Sequence, residues 1–304
     1  MKVIFFGTHT FAAAILQGLL NNPFFEVSFV ITQPDRAVGR KQELQASPVK
    51  LLAQKHSLPI DQPESLKNYE LKNQNSKLFI VAQYGLLIPK YILEAPKYGT
   101  INVHTSLLPK YRGASPIQSA LLHGDTKTGL TVMLMDEGMD SGPILLQKKI
   151  DIDPHETYLE LDERMAHAGV EALYEAIPKY ISGELTPQPQ DETQVTFCKK
   201  LSRDEGKIDW NKTTLEIYNQ YRGLTPWPGI WTWWDGKRLK LLHIKPSTKK
   251  IVAGKVLVEH DILYVGTSDS ALEIVVLQLE GKPAMNANIF LQGYSTKLHE
   301  SKFD

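Results

Sequence analysis

The sequence predicts an α/β doubly wound parallel-sheet domain followed by a small β-barrel (OB-like) domain. Through the first 150 residues, short β-rich apolar runs alternate with helical patterns, the signature of parallel strands joined by crossover helices. Beyond residue 193 strands and tight turns dominate instead. The 304-residue length, about twice that of a typical domain, fits this division.

Val3 to Phe6, Val27 to Ile31, Leu78 to Ala82, Ile101 to His104 and Thr131 to Met135 are the expected strands of the first sheet. Ser47-Pro48 and Ser115-Pro116 each supply a helix N-cap followed by a first-turn proline, and Gly124 is a stop for the second of these helices. A long helix is expected from about Thr157 to Ile181, closed by Gly183. We therefore expect a Rossmann-like domain over 1–183, a linker over 184–192 with two prolines and little to bury, and a β-barrel domain over 193–304. In that last part Thr213 and Glu216 form a capping box opening a helix that ends at Gly223. Asp235-Gly236 between Ile230 to Trp234 and Arg238 to His243 signals a hairpin, and Val252 to Val258, Leu263 to Gly266 and Leu272 to Leu279 add strands. Trp227, Trp231, Trp233 and Trp234 are expected to serve packing more than base stacking, because alternation in a hairpin buries every second side chain.

Thirty-four basic and thirty-four acidic residues give zero formal charge, which argues against nonspecific coating of nucleic acid. The charges are unevenly spread. Residues 1–192 carry 18 Lys and Arg against 22 Asp and Glu, whereas 193–304 carry 16 against 12, so the second part is the basic one. From Lys237 to Lys255 there are seven basic residues and no acidic one, including Lys237, Arg238 and Lys240. The lone Cys198 cannot form an internal disulfide, and no zinc-type spacing of Cys and His occurs. No run approaches the roughly 18 apolar residues of a membrane span. A cytoplasmic, monomeric protein without a metal is the expectation.

Asn102 and His104 lie two apart at the end of a predicted strand, so an amide and an imidazole share one face. Ligands of open parallel sheets bind beyond the carboxyl ends of the strands. Spacing alone favours two polar residues that satisfy a strand end. The loop that follows carries Lys110 and Arg112, and Met135 to Pro143 holds Asp136, Glu137 and Asp140 with two glycines, a pattern shared by acidic turns without function. Gly7-Thr8 lacks the spaced glycines of a dinucleotide site. Neither a P-loop nor a nucleophile elbow is present, so a nicotinamide dehydrogenase and covalent catalysis are disfavoured.

The run Ile101-Asn-Val-His-Thr-Ser-Leu-Leu-Pro-Lys-Tyr-Arg-Gly113, with Met135-Asp-Glu-Gly-Met-Asp-Ser-Gly-Pro-Ile144, resembles the signature of the folate-dependent formyltransferases. Phe6-Gly7-Thr8, the loop Thr32 to Arg40, Ser47 to Lys50, Tyr84 to Pro89 and Thr225 to Gly229 extend the resemblance, in order, to the branch of that family that acts on methionyl-tRNA. The resemblance implies a catalytic trio of Asn102, His104 and Asp140. It implies a folate pocket from Ser106, Leu107, Leu108 and Pro109 with Tyr84, Gly85 and Leu86, and 10-formyltetrahydrofolate as co-substrate. It further implies that the loop from Gln33 to Ala46, through Arg36, Arg40 and Lys41, grips the tRNA acceptor end, with the basic second domain along the acceptor stem. This sequence departs from the family pattern at His9-Thr10, at Ala37 and at Lys41-Gln42-Glu43, where the tract is less basic than usual. The same trio serves sugar-nucleotide amine formyltransferases, the alternative reading, and a noncatalytic tRNA-binding protein would be expected to have lost it.

Overall fold

The computed structural model describes residues 1–38, 42–72, 75–298 and 302–304. The chain divides into two compact units: the first comprises 1–116, 127–151 and 162–198, and the second 117–126, 152–161 and 199–304.

In chain order, the first sheet and its surroundings are built from β1 (Lys2–Gly7), α1 (Thr10–Asn21), β2 (Glu26–Ile31), the short hairpin β3 (Arg36–Val38) and β4 (Glu43–Gln45), α2 (Pro48–Lys55), β5 (Ile60–Asp61), β6 (Leu78–Ala82), α3 (Lys90–Leu93) and β7 (Thr100–His104). Then come β8 (Arg112–Gly113), α4 (Pro116–His123), β9 (Lys127–Leu134), β10 (Ile144–Asp151), α5 (Tyr158–Ser182) and β11 (Phe197–Cys198). The seven strands lie in the order β10-β9-β7-β6-β1-β2-β5. The apolar runs of β1, β6 and β7 are buried from end to end, as strands covered on both faces must be. On one face Ile4, Phe6, Phe29, Ile31, Phe79 and Val81 pack with Tyr84, Ile88, Ile92 and Leu93. On the other, α1 and α5 meet over Val103, where Gly169 faces Phe11 and Ile15.

Four of the five expected strands run parallel, but β9 is antiparallel to β7 and pairs with a further antiparallel strand, β10. The sequence search missed β10 because it is an edge strand whose residues are only intermittently buried, so it presents no continuous apolar run. The caps hold. Ser47 accepts the Lys50 N–H at 3.1 Å, Pro116 opens α4, and Gly124 and Gly183 end their helices at φ of 72° and 83°.

The expected boundaries differ in two places. Residues 184–192 are not a free linker: Gln188 pairs with Ile144, and β11 lies beside β8, with Arg112 donating to the Thr196 carbonyl at 2.9 Å. Residues 117–126 and 152–161 belong to the second unit, where buried Arg222 donates to the carbonyls of Asp153 and Glu156 at 3.2 Å each and Gly223 lies against Gln118 and Leu122. Sequence-contiguous boundaries cannot anticipate such an exchange.

The second unit contains α6 (Thr214–Leu224), β12 (Ile230–Trp234), β13 (Lys237–Ser247), β14 (Val256–Glu259), β15 (Ile262–Gly266), β16 (Ala271–Leu279), β17 (Met285–Asn286) and α7 (Ala287–Leu298). The antiparallel sheet runs β12-β13-β16-β15-β14, with β17 on β16. Thr213 and Glu216 form the expected capping box. Asp235 and Gly236 both have positive φ, 50° and 69°, as the tight hairpin turn requires. The ends of the sheet are tied by residues 302–304: Trp233 and Asp304 exchange backbone hydrogen bonds, and Phe303 donates to Gly254. α7, absent from the sequence reading, contributes Phe290 and Leu291 to this core. Within β12 only Trp233 is exposed; Trp231, two residues before it, is covered by the Arg238 guanidinium and by Gly206, and its indole N–H donates to the Arg203 carbonyl at 3.1 Å.

Among the described residues no helix is long and apolar enough to cross a membrane. One buried carboxylate lies at the end of β6. Asp162 is 8% exposed and accepts a long hydrogen bond from the Gln83 amide at 3.4 Å, so burial pushes its carboxyl up to about 6. The folded protein thus holds this proton more tightly than the unfolded chain, and the buried charge opposes folding above that pH. The penalty is relieved as pH falls from about 6 towards 4. Asp162→Asn should therefore be more stable than the parent by about 1–3 kcal/mol at pH 8, with the difference vanishing near pH 4. Urea unfolding of both proteins at several pH values measures this, and a constant difference across the range would contradict it.

Candidate functional site

Asn102 and His104 lie on one face of β7, opposite Met133 and Thr131 of β9. Both are nearly buried, at 9% and 6% exposure. The Asn102 amide has no hydrogen-bond partner among the described residues and is not sealed from solvent. It is free to meet a ligand. His104 places Nε2 at 2.9 Å from the Tyr111 carbonyl oxygen. A carbonyl only accepts, so Nε2 carries a proton, and Nδ1 lies 3.6 Å from Asp140 Oδ1.

Asp140 comes from the loop between β9 and β10. Because β9 is antiparallel, its last residue lies opposite Ile101, and the loop must fold back along β7 by roughly 10 Å to bring a carboxylate to His104. Gly142 allows that path: a Cβ there would sit 1.9 Å from the Leu134 carbonyl oxygen. The second oxygen of Asp140 accepts the Gly113 N–H at 2.8 Å, joining this loop to the one after β7. The other two carboxylates are occupied elsewhere. Asp136 accepts from the Gly138 N–H and the Ser141 hydroxyl, bracing the turn, and exposed Glu137 pairs with Lys90 at 3.5 Å. Geometry, which the sequence could not supply, thus singles out Asp140.

The segment Ser106 to Pro109 is held by its own backbone. Thr131 donates to the Ser106 carbonyl at 2.7 Å and accepts the Leu108 N–H at 3.1 Å, while Gln147 donates to the Leu108 carbonyl at 2.8 Å. The Ser106 hydroxyl is committed to the Lys110 carbonyl at 2.5 Å, and Leu108 is buried, so Leu107 and Pro109 are the more accessible of the four. Tyr84 is a core side chain, packed edge-on against Phe6 at 5.5 Å. Burial raises its phenol above the ordinary value, and the hydroxyl has no partner among the described residues. Its carbonyl takes the Thr8 hydroxyl at 2.9 Å and the Gln33 amide at 2.6 Å, which leaves the Gly85-Leu86 backbone as the part that can meet a ligand. Arg112, expected as an exposed loop cation, is instead 4% exposed and engaged by Gln190 and Glu192. Tyr111, Thr131, Gln147 and Gln190 support the site without having been found in the sequence, and nothing in their spacing could have announced them.

Of the residues expected at the tRNA loop, Arg36 donates to Gln33 at 2.6 Å, and Arg40 and Lys41 lie outside the described residues. Asp35 is held by Lys50 at 2.6 Å and by Gln62. In the second unit Lys237 and Lys240 are exposed, while the Arg238 guanidinium lies over the Trp231 ring at 4.2 Å. The basic stretch is partly offset by neighbouring strands: Lys249 pairs with Glu259, and Lys245 lies in register with Glu273. Among the described residues no three His, Cys, Asp or Glu side chains converge on a possible metal position.

A formyl transferase family model matches residues 1–177, and the model of a formyl transferase C-terminal domain matches residues 200–295. The chain belongs to the formyl transferase family. It is 41% identical to the methionyl-tRNA formyltransferase of Caldicellulosiruptor saccharolyticus, with 98% of each chain covered. The counterpart from Streptococcus pyogenes serotype M6 is 39% identical, covering 98% of this chain and 97% of that one. Among solved structures, an N-formyltransferase from Helicobacter canadensis has a TM-score of 0.67 at 20% identity, covering 90% of this chain and 98% of that one. HypX from Aquifex aeolicus, in one variant, also reaches 0.67 at 19% identity over 99% of this chain and 49% of its own. At these identities the two structures speak for the formyl transferase fold alone.

The loop geometry yields a test of how Asp140 is placed. Gly142→Ala should force the loop off β9 and lower turnover by roughly 100-fold, as misplacement by about 1 Å can, while the circular dichroism of the folded protein stays unchanged. Parent-like turnover in a folded variant would contradict the geometry.

Proposed function

We propose that this formyl transferase moves the formyl group of 10-formyltetrahydrofolate to the α-amino group of methionyl-tRNA, giving N-formylmethionyl-tRNA for translation initiation. The observation that carries the reading is near-40% identity, over almost the whole chain, to methionyl-tRNA formyltransferases, together with a free amide beside an oriented histidine–carboxylate pair.

The chemistry follows from the groups present. The neutral amine attacks the formyl carbon, a C–N bond forms, and the carbonyl electron pair becomes an oxyanion. Asn102 donates its free N–H to that oxygen, a contact whose loss costs roughly 100- to 1,000-fold. The attacking nitrogen becomes cationic and must lose a proton. Asp140 faces His104 Nδ1, so a proton arriving there lies between ring and carboxylate, and the pair can accept it directly or through water. Collapse of the intermediate then breaks the bond to N10 of the folate, which takes up a proton as it leaves. The amine of an esterified amino acid needs no strong base, since α-amino groups titrate near 8 and leave a usable neutral fraction.

In this reading Leu107, Pro109, Gly85 and Leu86 border the folate, with Ser106, Leu108 and Tyr84 shaping the wall behind them. Arg36, Arg40 and Lys41 meet the acceptor end, and Lys237, Arg238 and Lys240 follow the stem phosphates. The protein works as a cytoplasmic monomer. A sugar-nucleotide amine is the competing acceptor, and its support is a fold shared at 20% identity.

Incubation with 10-formyltetrahydrofolate and either methionyl-tRNA or an amino-sugar nucleotide separates the two. Formylated methionyl-tRNA is the expected product, and turnover of the sugar alone would sink the assignment. His104→Ala should reduce turnover by at least about 100-fold while tRNA affinity, measured by filter binding, changes little.

A further inference from the structure

We infer that Gln190, from the segment the sequence assigns to a linker, is the positioning residue that sets Asp140 for the transfer reaction. The inference rests on the reading of Asp140 given above.

Asp140 has a φ of 51°, a left-handed conformation that is unfavourable for a non-glycine residue and persists only where its surroundings enforce it. Gln190 supplies the enforcement. Its Nε2 donates to the Asp140 carbonyl and to the Gly142 carbonyl, each at 2.8 Å, spanning the turn that carries the carboxylate. Its Oε1 accepts from Arg112 Nε at 3.0 Å and from Nη2 at 2.8 Å. All four hydrogen-bonding positions of the amide are thereby filled, and its orientation is unambiguous because a guanidinium only donates and a carbonyl only accepts. Gln190 is 9% exposed and Arg112 4%, so these bonds are shielded from water and worth more than surface contacts.

Arg112 is itself fixed. Its guanidinium takes the Glu192 carboxylate at 2.7 Å, and its backbone joins the β8–β11 ladder. Arg112 is the residue between Tyr111, whose carbonyl holds His104, and Gly113, whose N–H holds Asp140. One amide therefore links the two loops that present the histidine and the carboxylate. Its loss should leave both residues in place chemically and misplace one relative to the other.

Gln190→Glu tests this on the full chain. The carboxylate keeps an acceptor for Arg112 but has no N–H for the two carbonyls. We expect kcat for formyl transfer to fall roughly 10- to 100-fold, with KM for folate and for the amine acceptor within about twofold of the parent and the melting temperature close to it. Gln190→Met, similar in size and without any donor, should show the same loss and serves as the second variant if the first does not fold. Parent-like kcat in either folded variant overturns the inference, as does a loss confined to KM or one matched by a fall in the folded fraction. Failure of both variants to fold would make Gln190 a folding determinant and overturn it equally. If the parent itself formylates neither acceptor, the functional reading fails instead, so the two failures are distinguishable.

Discussion

The hydrogen bond from the Gly113 N–H to the Asp140 carboxylate is the contact on which the arrangement of the site depends. It joins two loops that leave β7 and β9 from opposite ends of an antiparallel pair. Without it, the strand end would present an amide and an imidazole, and the acidic loop would be an ordinary turn over the far end of β9. Around this contact the structure spends most of its local hydrogen bonding on backbone groups. Tyr111, Ser106 and Leu108 are each held through a main-chain atom, so the loops are fixed while the Asn102 amide is left open. An amide held at a strand end with no partner among the described residues and open to solvent is available to a ligand, which is the arrangement an oxyanion contact needs.

The parallel core was legible because it is buried on both faces. β1, β2, β6 and β7 are continuous apolar runs, and such runs announce themselves without knowledge of neighbours. The same logic hid β10, whose half-exposed residues alternate weakly, and it misjudged the direction of β9, since an apolar run carries no sign of its polarity in the sheet. In the second unit, Asp235-Gly236 fixed one hairpin from two residues, whereas α7 was not read because it follows the short β17 directly.

Legibility at the site followed the distinction between side chains that do chemistry and atoms that hold them. Asn102 and His104 could be placed on one face by counting, and the resemblance to formyltransferases named Asp140. What could not be read is the support, because it runs through carbonyl oxygens of Tyr111, Asp140 and Gly142, which every residue possesses. Arg112 is a cation in a polar loop whose role counting could not assign; its charge is buried and balanced by Glu192, with Gln190 filling two of its remaining donors. A buried guanidinium that is fully engaged within the protein has little left to offer a substrate.

The same reasoning bears on why an apparent linker is retained as ordered structure. A segment with prolines and few apolar side chains cannot stabilise itself by burial, so its order must come from directional bonds. Between Gln188 and Cys198 these are the Gln188–Ile144 bridge, the Gln190 amide, the Arg112–Glu192 pair and the β8–β11 ladder, and each of them ends on one of the two loops that carry His104 and Asp140 or on the strand following the latter. Such bonds individually contribute about 1 kcal/mol, too little to favour this path over solvation unless several form together. A segment ordered by bonds to two loops necessarily restricts those loops in return. Its sequence is therefore constrained by the placement of these two loops more than by the need to connect two units.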